Sequence, residues 1–308
     1  GAALWRAELP GGTGARLATA NLSGEPALLA PWGRIPQGND PRPATGGLAA
    51  LALADGRTLW NCELAAPATG GVVEAEGVTF VGVGLRGAGA GEGWLAAISL
   101  ESGTLLWKTP VPGAIQSTPA IDEARVYVTA GDGALHSFSA RDGQLLKRCA
   151  ITPRPVPMPA SPVLWRQGAT LTIIAGTYSA RFGREPGRLV ALNPQGEALW
   201  EHEVPGNILG TPTLTARGQL YATCFGERPS SGTLLALDAR TGRALWNAPF
   251  SITAAPGEKA FFSAGPLIHG KTVYVTCLNH RVYALDAATG ALSWEHELPS
   301  SSAATPVW

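Results

Sequence analysis

The chain has 308 residues, with 23 Lys+Arg balanced by 23 Asp+Glu, so its formal net charge is zero. A nucleic-acid binder usually carries a basic surplus or stripe, and neither is visible; no apolar run is long enough to cross a bilayer as a helix. Gly 39, Pro 25 and 45% hydrophobic residues suit many short strands joined by turns and argue against long helices.

Taken in chain order, one signature returns. Gly-x-x-Leu-Trp occurs at Gly1–Trp5, Gly56–Trp60, Gly103–Trp107, Gly196–Trp200 and Gly242–Trp246, and Gly290–Trp294 varies only its middle positions. Gly143–Lys147 keeps the Gly and Leu146 but has Lys in place of Trp. Ahead of most copies stands a strand ending in Ala-Leu, as in Ala50-Leu51, Ala191-Leu192, Ala236-Leu237 and Ala284-Leu285. After most copies, beyond a loop, comes a short Pro-bearing strand such as Thr118-Pro119, Ser161-Pro162, Thr211-Pro212 or Gly265-Pro266, then a strand such as Val126–Thr129, Leu220–Thr223 or Val273–Thr276. Each unit therefore holds four strands, A to D, at a period in the forties. That is the sequence pattern of a β-propeller blade. The fold predicted is all-β, a β-propeller of four-stranded blades, seven in number with eight as the alternative, built as a single domain over 1–308.

The ends complete this expectation. Residues 1–9 read as an outer strand and 303–308 as an inner strand, with six complete units between them. Outer and inner strands of one blade are separated by about 14 Å, so the seventh blade lacks its middle strands, and the chain reads as part of a longer polypeptide.

Ala236-Leu237-Asp238-Ala239-Arg240-Thr241-Gly242 with Trp246, and Ala284-Leu285-Asp286-Ala287-Ala288-Thr289-Gly290 with Trp294, fit Ala-x-Asp-x-x-Thr-Gly-x-x-x-Trp at every position. The chain thereby resembles the quinoprotein, or PQQ-like, propeller family over its whole length. The resemblance implies that Trp60, Trp107, Trp200, Trp246 and Trp294 dock between adjacent blades, with looser docking at Lys147 and at the shortened turn Asn193–Gly196. Dehydrogenases of that family hold PQQ between a Trp floor and a disulfide of neighbouring cysteines, beside a calcium. Here Cys62, Cys149, Cys224 and Cys277 are all far apart in sequence, and no Cys-x-x-Cys-His is present. No cofactor, metal or catalytic residue is therefore expected, and a PQQ-dependent enzyme fragment is kept as the alternative.

The cysteines read as small buried hydrophobes in repeated positions. His202 and His296 share the context Trp-Glu-His-Glu two units apart, too far to share a metal, and read as rim residues. His136, His269 and His280 have no ligand spacing.

Loops carry the remaining signal, since functional residues gather on loops held by a rigid scaffold. The B–C loops read as long at Trp32–Thr45, Leu85–Gly93, Gly176–Gly187 and Gly226–Ser231. They carry Arg34, Arg42, Arg86, Arg181, Arg184, Arg188 and Arg228 against Asp40, Glu92, Glu185 and Glu227. Arg suits carboxylate, phosphate or protein partners; the competing reading is a solvated surface. The D–A loop Asn247–Phe262 adds Phe250, Phe261 and Phe262, either as an exposed cluster for a partner or as a plug packed into the fold. The expected function is a non-catalytic binding, scaffold or sensor module that offers this loop face to a protein or small-molecule partner. The resemblance extends to periplasmic lipoproteins of outer-membrane assembly and to sensor propellers of kinases, which implies an extracytoplasmic setting.

Overall fold

The computed structural model describes residues 4–306 apart from 37–42, 86–91, 179–185, 228–229, 256–257 and 303. Among these residues there is no helix. The strands form six four-stranded antiparallel sheets, the blades of a β-propeller fold, and each matches one complete A–D unit of the sequence. The chain divides into two compact units, Gly1–Pro157 and Met158–Trp308.

In the first unit, one sheet is β1 (Ala18–Leu22), β2 (Glu25–Arg34), β3 (Thr45–Ala52) and β4 (Thr58–Leu64). The second is β5 (Ala68–Ala75), β6 (Val78–Gly84), β7 (Glu92–Ser99) and β8 (Leu105–Pro112); the third is β9 (Ala120–Asp122), β10 (Arg125–Ala130), β11 (Ala134–Ser139) and β12 (Leu145–Ala150). Between the first two sheets lies a core built on Leu29, Leu48, Val81, Val83 and Ile98. Phe80, Leu95, Ile115, Val128 and Phe138 fill the space between the second and third.

The second unit repeats the scheme. Its sheets are β13 (Val163–Gln167), β14 (Thr170–Gly176), β15 (Gly187–Leu192) and β16 (Ala198–Val204); then β17 (Thr213–Leu214), β18 (Gln219–Glu227), β19 (Ser230–Asp238) and β20 (Phe250–Thr253); then β21 (Leu267–His269), β22 (Thr272–Cys277), β23 (Arg281–Asp286) and β24 (Leu292–Glu297). Ile174, Leu189, Ile208, Leu220 and Leu237 join the first pair of sheets, and Tyr221, Phe262, Val275, Tyr283 and Leu285 join the second pair.

The repeated motif has a direct steric meaning. The Ala near the end of strand C, two places before the motif's Asp or the residue replacing it, sits opposite the signature Trp across strands C and D: Ala50 faces Trp60, Ala97 faces Trp107, Ala191 faces Trp200 and Ala284 faces Trp294. A methyl group leaves room for the indole beside it. In the third sheet the same place holds Ser137 opposite Lys147. The Asp then closes the turn, as Asp238 accepts from the N–H groups of Arg240 and Thr241, and Asp286 from those of Ala288 and Thr289. Such Asx bonds are why Asp opens turns.

The docking expected of the tryptophans is present at four of the five positions. The indole Nε1 of Trp60 donates to Leu100 O at 2.8 Å, Trp107 to Ala140 O at 3.2 Å, Trp200 to Ala239 O at 2.8 Å and Trp246 to Ala287 O at 3.0 Å. Each acceptor lies in the C–D turn region of the following sheet. Trp5 does the same to Leu53 O at 2.9 Å. The turn glycine makes the seat: a Cβ on Gly242 would lie 2.7 Å from the Trp200 ring, and φ there is +68°, a conformation only Gly adopts at no cost. Trp294 departs from the expectation. It is 47% exposed and packs against Tyr274 with ring centroids 6.0 Å apart.

Several sequence boundaries need correction. Leu4–Leu9 is not a strand, nor is Ala304–Pro306; Leu4–Leu9 is held instead by the Trp5 contact. In the fifth sheet Leu237 makes a lone bridge to Ala244, and the outer strand resumes only at Phe250, after Pro249. Proline has no N–H to give a ladder, so the strand is displaced, and Phe250 belongs to β20 and not to a D–A loop. Gly226–Ser231 is no long loop either, because β18 and β19 run through to Glu227 and from Ser230. Arg34 and Arg188 are likewise strand residues.

Candidate functional site

Within each of the two units, one end of the sheets gathers the B–C connections and the D–A linkers, and backbone bonds knit the two together. Gly84 N donates to Pro67 O at 3.0 Å, Gly131 N to Ala114 O at 3.0 Å, Asn207 and Phe225 exchange bonds at 2.8 and 3.0 Å, and Leu278 N donates to Phe261 O at 3.2 Å. The linkers of these four D–A crossings are therefore fixed against the end of the next strand B. Loops mounted this way form a surface backed by ladder and core, the arrangement from which binding loops work.

In the first unit this end holds a cavity of about 220 Å³ lined by Gly12, Gly33, Ile35, Pro67 and Thr69. Thr69 Oγ1 is engaged with the carbonyls of Gly84 and Ile115, so the lining offers mainly backbone and apolar surface. A wider cleft of about 550 Å³ runs along the inner strands between Arg16, Leu28, Val72, Glu74 and Thr118.

A charged cluster that the sequence did not reveal lies at the same end. Asp132, in the turn between β10 and β11, accepts from Arg148 Nε at 2.8 Å, and His136 Nε2 lies 3.1 Å from both of its carboxylate oxygens. His136 is 1% exposed and Asp132 8%. Burial acts to raise the pKa of Asp132. The hydrogen bond and charge of His136, and then those of Arg148, outweigh it and hold the carboxyl below its ordinary range. His136 looked isolated because its partners are four and twelve residues away, without any ligand motif; only the cross-strand pairing of His136 with Arg148 joins them.

In the second unit the loop end is aromatic. Phe225 stacks on Phe261 with centroids 5.0 Å apart, and Tyr178 tilts against Phe225 at 6.2 Å. Phe261 and Tyr178 are half-buried, while Phe225 is buried. Phe262 corrects the expectation of an exposed cluster: it is 0% exposed and packs edge-on against Tyr283, beside Phe250. Alternation along the chain sends Phe261 outward and Phe262 into the core.

The predicted arginines separate into two groups. Arg34 is half-buried and its Nη2 donates to Pro43 O at 2.9 Å; Arg188 pairs with Glu201 Oε2 at 3.1 Å on the neighbouring strand. Arg42, Arg86, Arg181, Arg184 and Arg228 lie outside the described residues. No group of three His, Cys, Asp or Glu side chains with metal-binding geometry occurs among the described residues.

All four cysteines are free thiols. Desolvation pushes Cys224 up to about 12 and Cys277 up to about 11, so both are held as neutral, inert thiols. Cys149 is only half-buried, unlike the other three. A PQQ pocket of the quinoprotein kind needs a disulfide between neighbouring cysteines, and these residues do not fit it.

Comparison with known proteins agrees with this architecture. The chain is 28% identical over 266 residues to "Outer membrane protein assembly factor BamB" of Burkholderia pseudomallei (strain K96243), an alignment that covers 82% of this chain and 61% of that protein. The chain thus spans about three-fifths of that relative's length. Among solved structures, BamB from Moraxella catarrhalis superposes with TM-score 0.62 at 20% identity, over 91% of this chain and 72% of the other. Quinohemoprotein alcohol dehydrogenase from Comamonas testosteroni superposes with TM-score 0.65 at 14% identity, over 85% and 59%; at these identities both speak for the fold alone. The family model described as "Outer membrane protein assembly factor BamB" matches residues 44–228 and 163–308, and with most of its length so matched, the chain belongs to this PQQ-like propeller family.

Proposed function

We propose that the chain is a non-catalytic scaffold of outer-membrane protein assembly, working outside the cytoplasm and presenting its B–C and D–A loop end to a protein partner. The observation that carries this reading is the knitted loop end itself. It combines a rigid backing with the half-buried rings of Tyr178 and Phe261, the residue types that anchor protein interfaces. Arg188 stands near the start of β15 in the same unit as these rings and Arg34 at the end of β2 in the first unit, and Arg42, Arg86, Arg181, Arg184 and Arg228 belong to B–C connections in sequence. Family membership supports the scaffold role, and the free, widely separated cysteines speak against the quinone-dependent alternative.

Site-specific photo-crosslinking in the native cell envelope tests the proposal. A photoreactive residue at Phe261 or Tyr178 is expected to capture a component of the outer-membrane assembly machinery, while one at Leu106, on the outer strand β8, is not. Equal capture from all three positions, or capture from Leu106 alone, overturns the loop end as the docking surface.

A further inference from the structure

Arg148, on β12, is 45% exposed, yet its orientation is fixed. Its Nε donates to Asp132 Oδ2 at 2.8 Å. Asp132 is itself anchored, because its Oδ1 accepts from Ala134 N at 3.3 Å and His136 Nε2 lies 3.1 Å from both carboxylate oxygens. His136 stacks on Phe138 with ring centroids 6.2 Å apart, and Phe138 belongs to the core between the second and third sheets. The guanidinium thus hangs on a buried carboxylate that a turn and a core imidazole hold in place. No hydrogen bond from Nη1 or Nη2 occurs among the described residues. Those donors form the fork that grips a carboxylate or phosphate through parallel bonds.

His136 and Arg148 stand opposite each other across β11 and β12, on the face that carries Phe138 toward the second sheet. Every group of the cluster therefore lies within the unit Gly1–Pro157. The linker that leaves β12 is pinned to the same turn, as Ile151 N and Thr152 N donate to Gly133 O at 2.9 and 3.0 Å. Thr152 Oγ1 donates to Arg154 O at 2.7 Å, which brings a second, exposed cation to this end. With His136 neutral, Arg148 and Arg154 against Asp132 leave a surplus of one positive charge (two cations less one anion). One carboxylate balances that surplus. A phosphate group carries about −1.5 to −2 at pH 7 and would stand uncompensated beside Asp132.

We propose that the Arg148 fork is the docking point for a carboxylate on an acidic segment of a protein partner. Asp132 and His136 act as positioning residues. They leave the guanidinium less rotamer freedom to lose when the carboxylate arrives, which is how preorganisation adds affinity. Lys cannot replace this Arg, since an ammonium is a point charge without the fork. The proposal rests on the reading of the loop end as a docking surface and adds the chemistry of what docks on the first unit.

The test is a proton–nitrogen correlation NMR titration of the purified chain, at about 50 mM salt so that screening is modest. It follows the Nε–H resonance of Arg148 and, in the variants, the amide of Gly133. The probe is an acetylated, amidated hexaglutamate peptide, with hexaglutamine and inorganic phosphate run beside it. A saturable shift at Arg148 is expected with hexaglutamate, none with hexaglutamine, and weaker binding with phosphate. Arg148→Lys is expected to bind hexaglutamate at least about tenfold more weakly, the worth of one charge-assisted hydrogen bond. Asp132→Asn makes the cluster more positive, so bulk charge alone would tighten binding; loss of positioning is expected to weaken it instead. If Asp132→Asn does not fold, the half-exposed Arg148→Lys decides. Arg57→Gln, whose side chain pairs with Glu25 at the C–D end of the first sheet, is expected to bind as the wild type does. No shift at Arg148, equal binding of hexaglutamine, tighter binding of phosphate, an unchanged Arg148→Lys or a tighter Asp132→Asn each overturns the proposal. Such a failure leaves the loop-end reading to crosslinking at Phe261 and Tyr178, whose outcome does not depend on Arg148.

Discussion

Tyr221 and Trp246 donate to one acceptor, the carbonyl oxygen of Ala287, at 2.9 and 3.0 Å. Their rings lie 5.9 Å apart and tilted by 54°. Tyr221 stands in β18 of the fifth sheet, Trp246 in the connection from β19 to β20, and the acceptor in the turn of the sixth sheet, so a single peptide group joins two blades. Trp246 is 5% exposed, and truncating a buried Trp in a core costs about 3–5 kcal/mol. Trp246→Ala is expected to lose about that much in a denaturant titration, and Trp294→Ala, at the half-exposed copy of the same position, well under half of it. A double-mutant cycle of Tyr221→Phe with Trp246→Phe is expected to be non-additive, because either donor still partly satisfies the shared carbonyl. Simple additivity would mean that the two bonds are independent.

Close approach of the turn to the indole gives a second expectation. Gly242→Ala puts a Cβ 2.7 Å from the Trp200 ring at φ +68°, whereas Gly77 has φ +77° with open space around its Cβ position. Positive φ alone costs an L-residue about 1 kcal/mol. Gly77→Ala should therefore lose about that, and Gly242→Ala clearly more, since the docked ring must also shift. Equal losses measured by thermal unfolding would remove the steric role of the turn.

The Asp132 cluster sets an acid-side limit. Its carboxyl is held below the ordinary range by His136 and Arg148 despite burial. A group depressed in the folded state contributes stability that is present above its unfolded pKa, about 4, and is lost as pH falls through the folded value. Asp132→Asn is expected to lower stability at pH 7 and to flatten the loss of stability below about pH 4. Removing one partner of a buried charged set costs about 3–5 kcal/mol, the upper bound here because Arg148 is 45% exposed. An unchanged acid limb in the variant would show that Asp132 does not carry it.

Thiol chemistry supplies a fourth test. Cys224 and Cys277, raised to about 12 and about 11 by burial, should resist a thiol reagent at pH 8 until the chain unfolds. The half-buried Cys149 should react first. A folded-state pKa above the unfolded one also means that these thiols favour the fold below about pH 8.5 and lose that contribution as pH rises toward their folded values. Mass spectrometry of partly labelled protein reads the order directly. Early labelling of Cys224 would contradict its burial.

Repetition was what the sequence could determine. The Ala-x-Asp…Gly…Trp register is local: Asp286 caps its own turn, and Ala284 makes room for the Trp directly across the strand pair. Six complete four-strand units, within an expected propeller of seven, could therefore be read from spacing, and they stand as six sheets among the described residues. The tryptophan seats were implied by the family resemblance, and four of the five are found. Accessibility could not be read in this way, because it depends on what lies against each side chain from distant segments. Phe261 and Phe262 are neighbours in sequence, yet one is half-buried on the loop end and the other is sealed in the core against Tyr283. The same holds for Trp294, whose signature equals that of Trp246 while its surroundings do not. It holds also for His136, whose meaning rests on a carboxylate in a turn and a guanidinium on the next strand. Local chemistry fixed the blades, and the packing of residues far apart in sequence decided which side chains are buried, charged or open.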